Sequence, residues 1–95
     1  MKAGFVYMMA NQKNGTIYTG VASSLPERIH AHREGLIDGF TKKHRIHLLV
    51  WFEFHATMAE AIAREKSIKE WPRAHKIALI EPRNPHWLDL YPALI

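Results

Sequence analysis

The chain has 95 residues, of which 47% are hydrophobic and 23% are charged, as expected for one soluble globular domain over residues 1–95. It contains no cysteine, which excludes disulfide bonds and thiolate zinc sites and permits the cytoplasmic location that we expect. The formal charge of +4 favours an anionic partner, although many basic proteins bind no nucleic acid. We expect no signal peptide, because no cleavage site follows the first apolar run, and no membrane segment, because no apolar stretch approaches roughly 20 residues.

Two strand-like segments open the chain. Gly4–Ala10 and Thr16–Ala22 are rich in β-branched and aromatic residues, and the loop between them contains Asn14-Gly15. Asn-Gly between two such runs is typical of a β-hairpin. The sequence therefore predicts that the first two strands form an antiparallel pair.

Each strand of this hairpin carries a tyrosine, Tyr7 and Tyr18. Because side chains alternate between the two faces of a strand, the length of the loop decides whether the rings meet. A four-residue loop places the two rings directly opposite each other, and a two-residue Asn14-Gly15 turn leaves them on one face but further apart. A loop with an odd number of residues puts the rings on opposite faces of the sheet. Ordinary packing of two strand tyrosines is the simpler alternative to a site.

The next segment has the pattern of a helix from a Ser24 cap to about Glu34, with Gly35 as the stop. Arg28 and His32 are four residues apart and therefore share one face of this helix. A guanidinium there can hold a phosphate in bidentate fashion and balance its charge during displacement. A solvated arginine beside a histidine is the alternative for an isolated pair.

Residues 36–47 are interpreted as an exposed basic connection. They include a cluster of cationic side chains that can contact backbone phosphates without reading the bases. The residues predicted to bind nucleic acid in this way, here and on a later helix, are Lys42, Lys43, Arg45, Arg64 and Lys69.

The second half of the chain predicts one more strand and several helices. Leu48–His55 is strongly apolar and is expected to be the central strand, and Thr57 to Glu60 form a capping box that opens a helix to about Trp71. A further helix is predicted over 73–80, and Asn84-Pro85 are expected to cap a short final helix with Trp87 and Leu88. The fold class is α+β: a small sandwich with a three-stranded antiparallel sheet, formed by the hairpin and the third strand, with helices covering one face.

Glu65 lies on the apolar stripe of the capped helix. The stripe repeats at helical spacing through Met58, Ala61, Ile62 and Ile68, and Glu65 falls among these residues. A carboxylate that points towards the core must be paired, coordinated or protonated, because an isolated buried charge is destabilising by several kcal/mol. An internal ion pair with an arginine, or a snorkelling position at the edge, is the structural alternative to a metal ligand.

Other residues carry weaker signals. The seven histidines show no His-x-x-x-His pair with a third ligand, so a histidine zinc site is not predicted. The aromatic residues of the third strand, Trp51, Phe52 and Phe54, are interpreted as core and sheet residues rather than a base-stacking surface.

The order of these elements resembles the GIY-YIG nuclease domain. The pattern is a tyrosine, then Tyr18-x-Gly20, an arginine on the first helix, a helical glutamate and a late asparagine, and it covers nearly the whole chain. The chain looks closest to small stand-alone, UPF0213-like members. Segments that recur there are Thr41-x-x-His44, the helix from Ala61 to Lys69, and Asn84 to Leu90. Two departures are mild: Phe5-Val6 stand before the first tyrosine in place of Gly-Ile, and Thr19 replaces an isoleucine.

The resemblance implies a metal-dependent endonuclease that hydrolyses phosphodiester bonds in duplex or branched DNA, with a role in DNA repair or recombination. It implies one Mg²⁺ or Mn²⁺ held by Glu65, a phosphate contact from Arg28 and water activation by Tyr7 or Tyr18. His32 matches a helper position and Asn84 one that steadies the site. Since an unperturbed tyrosine with a pKa of ~10 is a poor base at neutral pH, the phenol needs a cation nearby.

Two other functions stay open at this stage. One is a nucleic-acid-binding domain of the same fold with weak or no catalysis. The other is a scaffold whose third strand and segment 87–95 dock an unknown protein partner. A monomer or weak homodimer is expected in each case.

Overall fold

A three-stranded antiparallel sheet with the strand order β2-β1-β3 forms the centre of the protein in a computed structural model that describes residues 2–95. The strands are β1 (Gly4–Ala10), β2 (Ile17–Ala22) and β3 (Leu48–His55). The helices are α1 (Leu25–Arg33), α2 (Phe40–Lys43), α3 (Met58–Glu70) and α4 (Arg73–Ile80), followed by a short 3₁₀ turn (Tyr91–Leu94). The predicted α+β sandwich with this sheet is confirmed. No helix among residues 2–95 is both long and apolar enough to cross a bilayer.

The central strand is β1, and the prediction that the third strand is central was wrong. The outer edge of β3 is covered by the C-terminal segment, which supplies the hydrogen bonds that a fourth strand would make. Leu90 N donates to Leu49 O at 2.8 Å, and Leu49 N donates to Asp89 Oδ1 at 3.1 Å. Because this edge is covered, β3 is as apolar as an inner strand.

Helices cover both faces of the sheet, whereas the sequence predicted one covered face. Val6 and Met8 of β1 join an apolar cluster with α3 and α4, and Tyr7 and Met9 join a second cluster with α1. A central strand that is buried on both sides shows a continuous apolar run, so its pattern does not reveal which face is open. In β3, Val50 is an extra residue that interrupts the pairing with β1 between Met8 and Met9.

Local signals fixed most helix ends. The side chain of Thr57 accepts a hydrogen bond from Glu60 N at 3.2 Å at the start of α3, as the capping box predicts. Gly35 adopts a left-handed φ of 66° directly after α1, which glycine accepts without steric penalty. Ser24 occupies the N-cap of α1 but makes no capping hydrogen bond through its side chain.

Two segments differ from prediction. The connection over 36–47 contains the short helix α2, and the helix expected after Asn84 does not form. Trp87 has a left-handed φ of 54°, which a right-handed helix cannot contain. Tertiary contacts determine this segment: Trp87 is buried, and its indole Nε1 donates to Glu81 Oε2 at 3.0 Å.

Candidate active site

The register of the hairpin places both tyrosines on one face of the sheet. Tyr7 pairs with Gly20 and Tyr18 pairs with Met9, so the loop between the paired residues Ala10 and Ile17 has six residues. Because the loop has an even number of residues, both tyrosine side chains point to the same face of the sheet. The rings are offset, with their centroids 6.3 Å apart. The sequence allowed an arrangement in which the two rings share a face but are not directly opposite, and this is the one observed. The loop that produces it has six residues and is longer than the four-residue and two-residue loops considered.

Gly20 makes the space for this pair of rings. A Cβ atom on Gly20 would lie 2.5 Å from Oη and 2.6 Å from Cζ of Tyr7, and 3.0 Å from Cε2 of Tyr18. These distances are far below van der Waals contact. The glycine that follows Tyr18 by two positions is therefore required by packing against the rings.

Tyr7 begins a buried chain of hydrogen bonds. Its hydroxyl lies 2.8 Å from His32 Nε2, and His32 Nδ1 lies 2.9 Å from Thr41 Oγ1. The three residues are at most 4% exposed. Burial and the charge of Arg28 lower the pKa of His32 to about 4, so this imidazole is neutral at pH 7. A neutral ring bonds both partners by donating from one nitrogen and accepting at the other.

The two tyrosines differ in their surroundings. Tyr7 is fully buried, and burial together with Tyr18 and the negative charge of Glu65 raises its pKa, while Arg28 opposes this shift. Tyr18 is partly exposed. Its ring centroid lies 5.4 Å from that of His32. Tyr7 is thus held in its protonated form, and Tyr18 is the phenol that solvent and a substrate can reach.

Arg28 is exposed at the side of this cluster, on the same face of α1 as His32. It lines a surface depression with Ala22, Ser24 and Ala31. Within residues 2–95 it pairs with no carboxylate. Its charge nevertheless affects the pKa values of both Tyr7 and His32, so the guanidinium lies near both side chains.

Glu65 lies on the buried stripe of α3, as the sequence predicts. Ala61, Glu65 and Ile68 are the buried residues of this helix, whereas Ile62 is 38% exposed. The residue Glu65 as a whole is 9% exposed, and its Oε2 lies 3.0 Å from Nζ of Lys69, one helical turn later. The ion pair is therefore made with a lysine, not with an arginine.

Among residues 2–95, Glu65 is the one carboxylate that this site offers to a divalent cation. No cluster of three or more histidine, aspartate or glutamate side chains exists in the part of the chain that the structure describes. Glu65 is a single buried carboxylate whose ionic partner is a flexible lysine. A hard cation such as Mg²⁺ commonly binds through one or two carboxylates, with waters and substrate phosphate completing its shell, so one carboxylate is compatible with it.

Asn84 is buried and forms hydrogen bonds with backbone groups of β3 and of the C-terminal segment. Its Nδ2 donates to Val50 O at 3.1 Å and to Leu88 O at 2.8 Å, and its Oδ1 accepts from Leu88 N at 2.9 Å. Among the hydrogen bonds of residues 2–95, none joins Asn84 to Tyr7, Tyr18 or Glu65. The amide fixes the C-terminal segment against β3, and its predicted role in the site stays a prediction.

The residues predicted to bind nucleic acid divide into two groups. Those of the α2 region are exposed, and Lys42 makes a long surface ion pair with Asp38 at 3.4 Å. Arg64 is instead partly buried: its Nε lies 3.0 Å from Glu53 Oε1, and its guanidinium lies over the ring of Trp71. Arg64 and Lys69 both have intramolecular carboxylate partners. Of these five predicted residues, Lys43 and Arg45 are exposed and have no such partner in residues 2–95.

Sequence reasoning missed two members of the site. Thr41 is buried and completes the chain from Tyr7 through His32, and Phe40 lies beside Tyr18. The recurring Thr41-x-x-His44 segment was a usable signal for the threonine. Nothing in the local pattern indicated Phe40, because its neighbours are brought to it only by the tertiary fold.

Comparison with known proteins identifies the family of the chain. A family model described as the GIY-YIG catalytic domain matches residues 3–78. UPF0213 proteins of Staphylococcus aureus strains Mu3 and COL are each 36% identical over 83 residues, which covers 87% of this chain and 100% of theirs. The solution NMR structure of a UPF0213 protein from Bacillus halodurans is 25% identical and superposes with a TM-score of 0.52 over 86% of each chain.

Proposed function

The chain belongs to the GIY-YIG catalytic domain family, a nuclease superfamily, and from this premise we propose that it is a divalent-metal-dependent endonuclease that hydrolyses DNA phosphodiester bonds. One observation carries the proposal: Tyr7, bonded to neutral His32 at 2.8 Å, has a pKa that responds to both Arg28 and Glu65. Three elements far apart in sequence, β1, α1 and α3, therefore direct their polar groups to one region. Involvement in DNA repair or recombination is part of the proposal.

Arg28 is the phosphate-binding residue in this scheme. It is exposed and without a carboxylate partner in residues 2–95, so an incoming phosphate meets a guanidinium that has no ion pair to break. Guanidinium groups bind phosphate through two parallel hydrogen bonds and stabilise the charge that builds up during displacement. Lys42, Lys43 and Arg45 extend the contact along the backbone.

Tyr18 is the tyrosine whose hydroxyl oxygen accepts a hydrogen bond from the attacking water and orients it. It is partly exposed, whereas Tyr7 is fully buried and its hydroxyl is already bonded to His32. Tyr7 acts as a positioning residue, because its ring packs beside Tyr18 and is fixed by the chain to Thr41. A cation held by Glu65 would supply Lewis-acid polarisation of the phosphoryl oxygen.

Nicking of supercoiled plasmid and of a panel of duplex, branched and single-stranded DNA in Mg²⁺ or Mn²⁺ tests this function. We expect Glu65→Gln and Arg28→Ala to lose roughly 100-fold or more of the activity, in the range seen when a transition-state contact is removed. Glu70→Gln and Arg83→Ala change exposed residues of the same types and are expected to retain it.

Equal nicking by all five proteins would indicate a contaminating nuclease and would refute the proposal. If the wild type binds DNA in a salt-dependent way but does not cut any substrate, the chain is a binding domain of this fold. A scaffold that docks a partner through its C-terminal segment would have to use Leu88 and Ile95, which are 63% and 80% exposed, because Trp87 is only 2% exposed.

Metal binding is tested separately by electron paramagnetic resonance of Mn²⁺ without DNA. Glu65→Gln is expected to abolish binding. Lys69→Met removes the ammonium group that lies 3.0 Å from the carboxylate, so we expect it to tighten Mn²⁺ binding about tenfold, which corresponds to about 1.4 kcal/mol. Weaker binding by Lys69→Met would show that the lysine does not compete with the cation.

A further inference from the structure

Three aromatic rings form a continuous strip that leads outward from the candidate site. The rings of Tyr18 and Phe40 are nearly parallel, with an interplanar angle of 25° and centroids 6.3 Å apart. The ring of His44 follows, with its centroid 4.4 Å from that of Phe40. We call Tyr18, Phe40 and His44 the aromatic strip. It starts at the phenol proposed to contact water and ends at the surface.

Phe40 is exposed although the fold holds it firmly. It is 46% exposed, whereas the next residue, Thr41, is 3% exposed and bonded to His32 at 2.9 Å. Gly39 precedes it with a φ of 111°, a conformation available to glycine, and Ile46 N closes the turn on Thr41 O at 2.9 Å. An anchored, solvent-facing phenyl ring loses the benefit of burial, and neighbouring residues of the protein do not cover it.

The charge around the strip indicates what kind of ligand covers it. Lys43 and Arg45 follow Phe40 by three and five residues and are exposed, and the ion pair that Lys42 makes within residues 2–95 is the long surface contact with Asp38. An aromatic surface bordered by cations is complementary to a nucleic-acid strand, whose bases present π faces and whose phosphates are negative. A purely apolar protein partner would leave these cations unpaired at the interface.

We propose that Phe40 and His44 form a base-stacking site for an unpaired nucleobase next to the scissile phosphate. In a duplex both faces of each base are already covered by neighbouring base pairs, so an exposed ring gains little by meeting one. A single-stranded, frayed or branched segment has bases that are free to stack. The inference rests on the proposed function and deepens it: the preferred substrate is DNA that is locally unpaired at the cut.

Binding measured in EDTA tests the stacking site without cleavage. The probe is a single-stranded oligonucleotide that carries 2-aminopurine, whose fluorescence falls when it stacks on an aromatic ring. We expect wild type to quench it and to bind it more tightly than the fully paired duplex. Phe40→Ala should weaken binding on the order of tenfold and abolish quenching, whereas Phe40→Trp should retain both.

Matched variants separate stacking from charge and from folding. Leu36→Ala changes another exposed apolar side chain of the same connection, 70% exposed, and is expected to leave binding and quenching unchanged. Lys43→Gln should lower the slope of log affinity against log salt by about 0.7, the value for one phosphate contact on a single strand, with full quenching at saturation. Phe40→Leu, which keeps an apolar side chain there, should lose quenching while its thermal midpoint stays near that of wild type.

Two results would overturn the inference: identical affinity and quenching by Phe40→Ala and Leu36→Ala, or equal binding of duplex and single strand with no quenching. Because the experiment contains no metal, its outcome is independent of nicking. A protein that quenches the probe but never cuts DNA refutes the proposed nuclease alone, and one that cuts DNA without stacking refutes this site alone.

Discussion

The two faces of the sheet are packed in different ways. The face covered by α3 and α4 is an apolar cluster that includes Trp51, Ile68 and Trp87. The face covered by α1 has Tyr7 in its cluster, bonded to His32. Buried polar groups give less stability than apolar groups of similar volume, so a fold places them where they serve another purpose.

Glu65 links the two faces. It belongs to α3, between residues of the apolar cluster, yet its charge raises the pKa of Tyr7 in the other cluster. The difference between the faces therefore defines the candidate site better than any single residue does: this site is placed where the core is polar and where a charge from the apolar side reaches it. Three experiments test this difference between the faces.

The largest expected effect comes from adding one methyl group on each face. Gly20→Ala brings a Cβ to 2.5 Å from Tyr7 Oη, and Gly4→Ala brings one to 2.7 Å from Ala61 Cβ. Overpacking of this kind destabilises a protein by about 1–3 kcal/mol, so we expect both variants to unfold at lower urea concentration. Only Gly20→Ala should also lose about 100-fold in nicking, because it displaces the tyrosines.

The control is to measure nicking at a temperature where both alanine variants remain folded by circular dichroism. If Gly4→Ala loses as much activity per folded molecule as Gly20→Ala, the two faces contribute equally to the site and the contrast fails.

The second experiment uses pH to examine the polar face. His32 has its pKa lowered from 6.5 to about 4 in the folded protein, so unfolded chains bind its proton first as the pH falls. The associated stability is fully present above pH 6.5 and is lost between pH 6.5 and about 4, by up to roughly 3 kcal/mol. Urea unfolding of wild type and His32→Asn should therefore converge over this range.

The six other histidines and the carboxylates titrate in both proteins, so their effect on stability cancels in the difference between wild type and His32→Asn. Stability curves that stay parallel from pH 7.5 to 4 would show that burial and Arg28 do not keep His32 neutral.

The smallest expected effect contrasts one threonine on each face. Thr19 pairs with Met8 on the apolar face, and its buried hydroxyl has no hydrogen-bond partner within residues 2–95. Thr41 on the polar face bonds His32 at 2.9 Å. We expect Thr19→Val to stabilise by about 1 kcal/mol and Thr41→Val to destabilise by about 1–2 kcal/mol in urea unfolding.

Changes in stability of opposite sign for Thr19→Val and Thr41→Val would support the difference between the faces. If Thr19→Val is instead destabilising, its hydroxyl has a partner in solution, and the apolar face is less uniform than the packing indicates.

Much of the fold could be predicted because its signals are local. Strand runs, Asn14-Gly15, the Thr57 cap and the Gly35 stop each act within a few residues, and the structure reproduces the elements they predict. The errors concern long-range packing. The apolar pattern of Leu48–His55 could not reveal that residues 84–90, more than thirty positions later, cover its edge, and the asparagine at Asn84 matched a cap pattern although its amide binds β3.

Helical periodicity in the sequence is enough to place Glu65 on a buried stripe, one turn before Lys69, and to place Arg28 and His32 on one helical face. The tertiary fold is what brings Tyr7 to His32 and Phe40 to Tyr18. These contacts depend on hairpin register and on the placement of α1 and α2 around the sheet, and no short stretch of sequence encodes such distances.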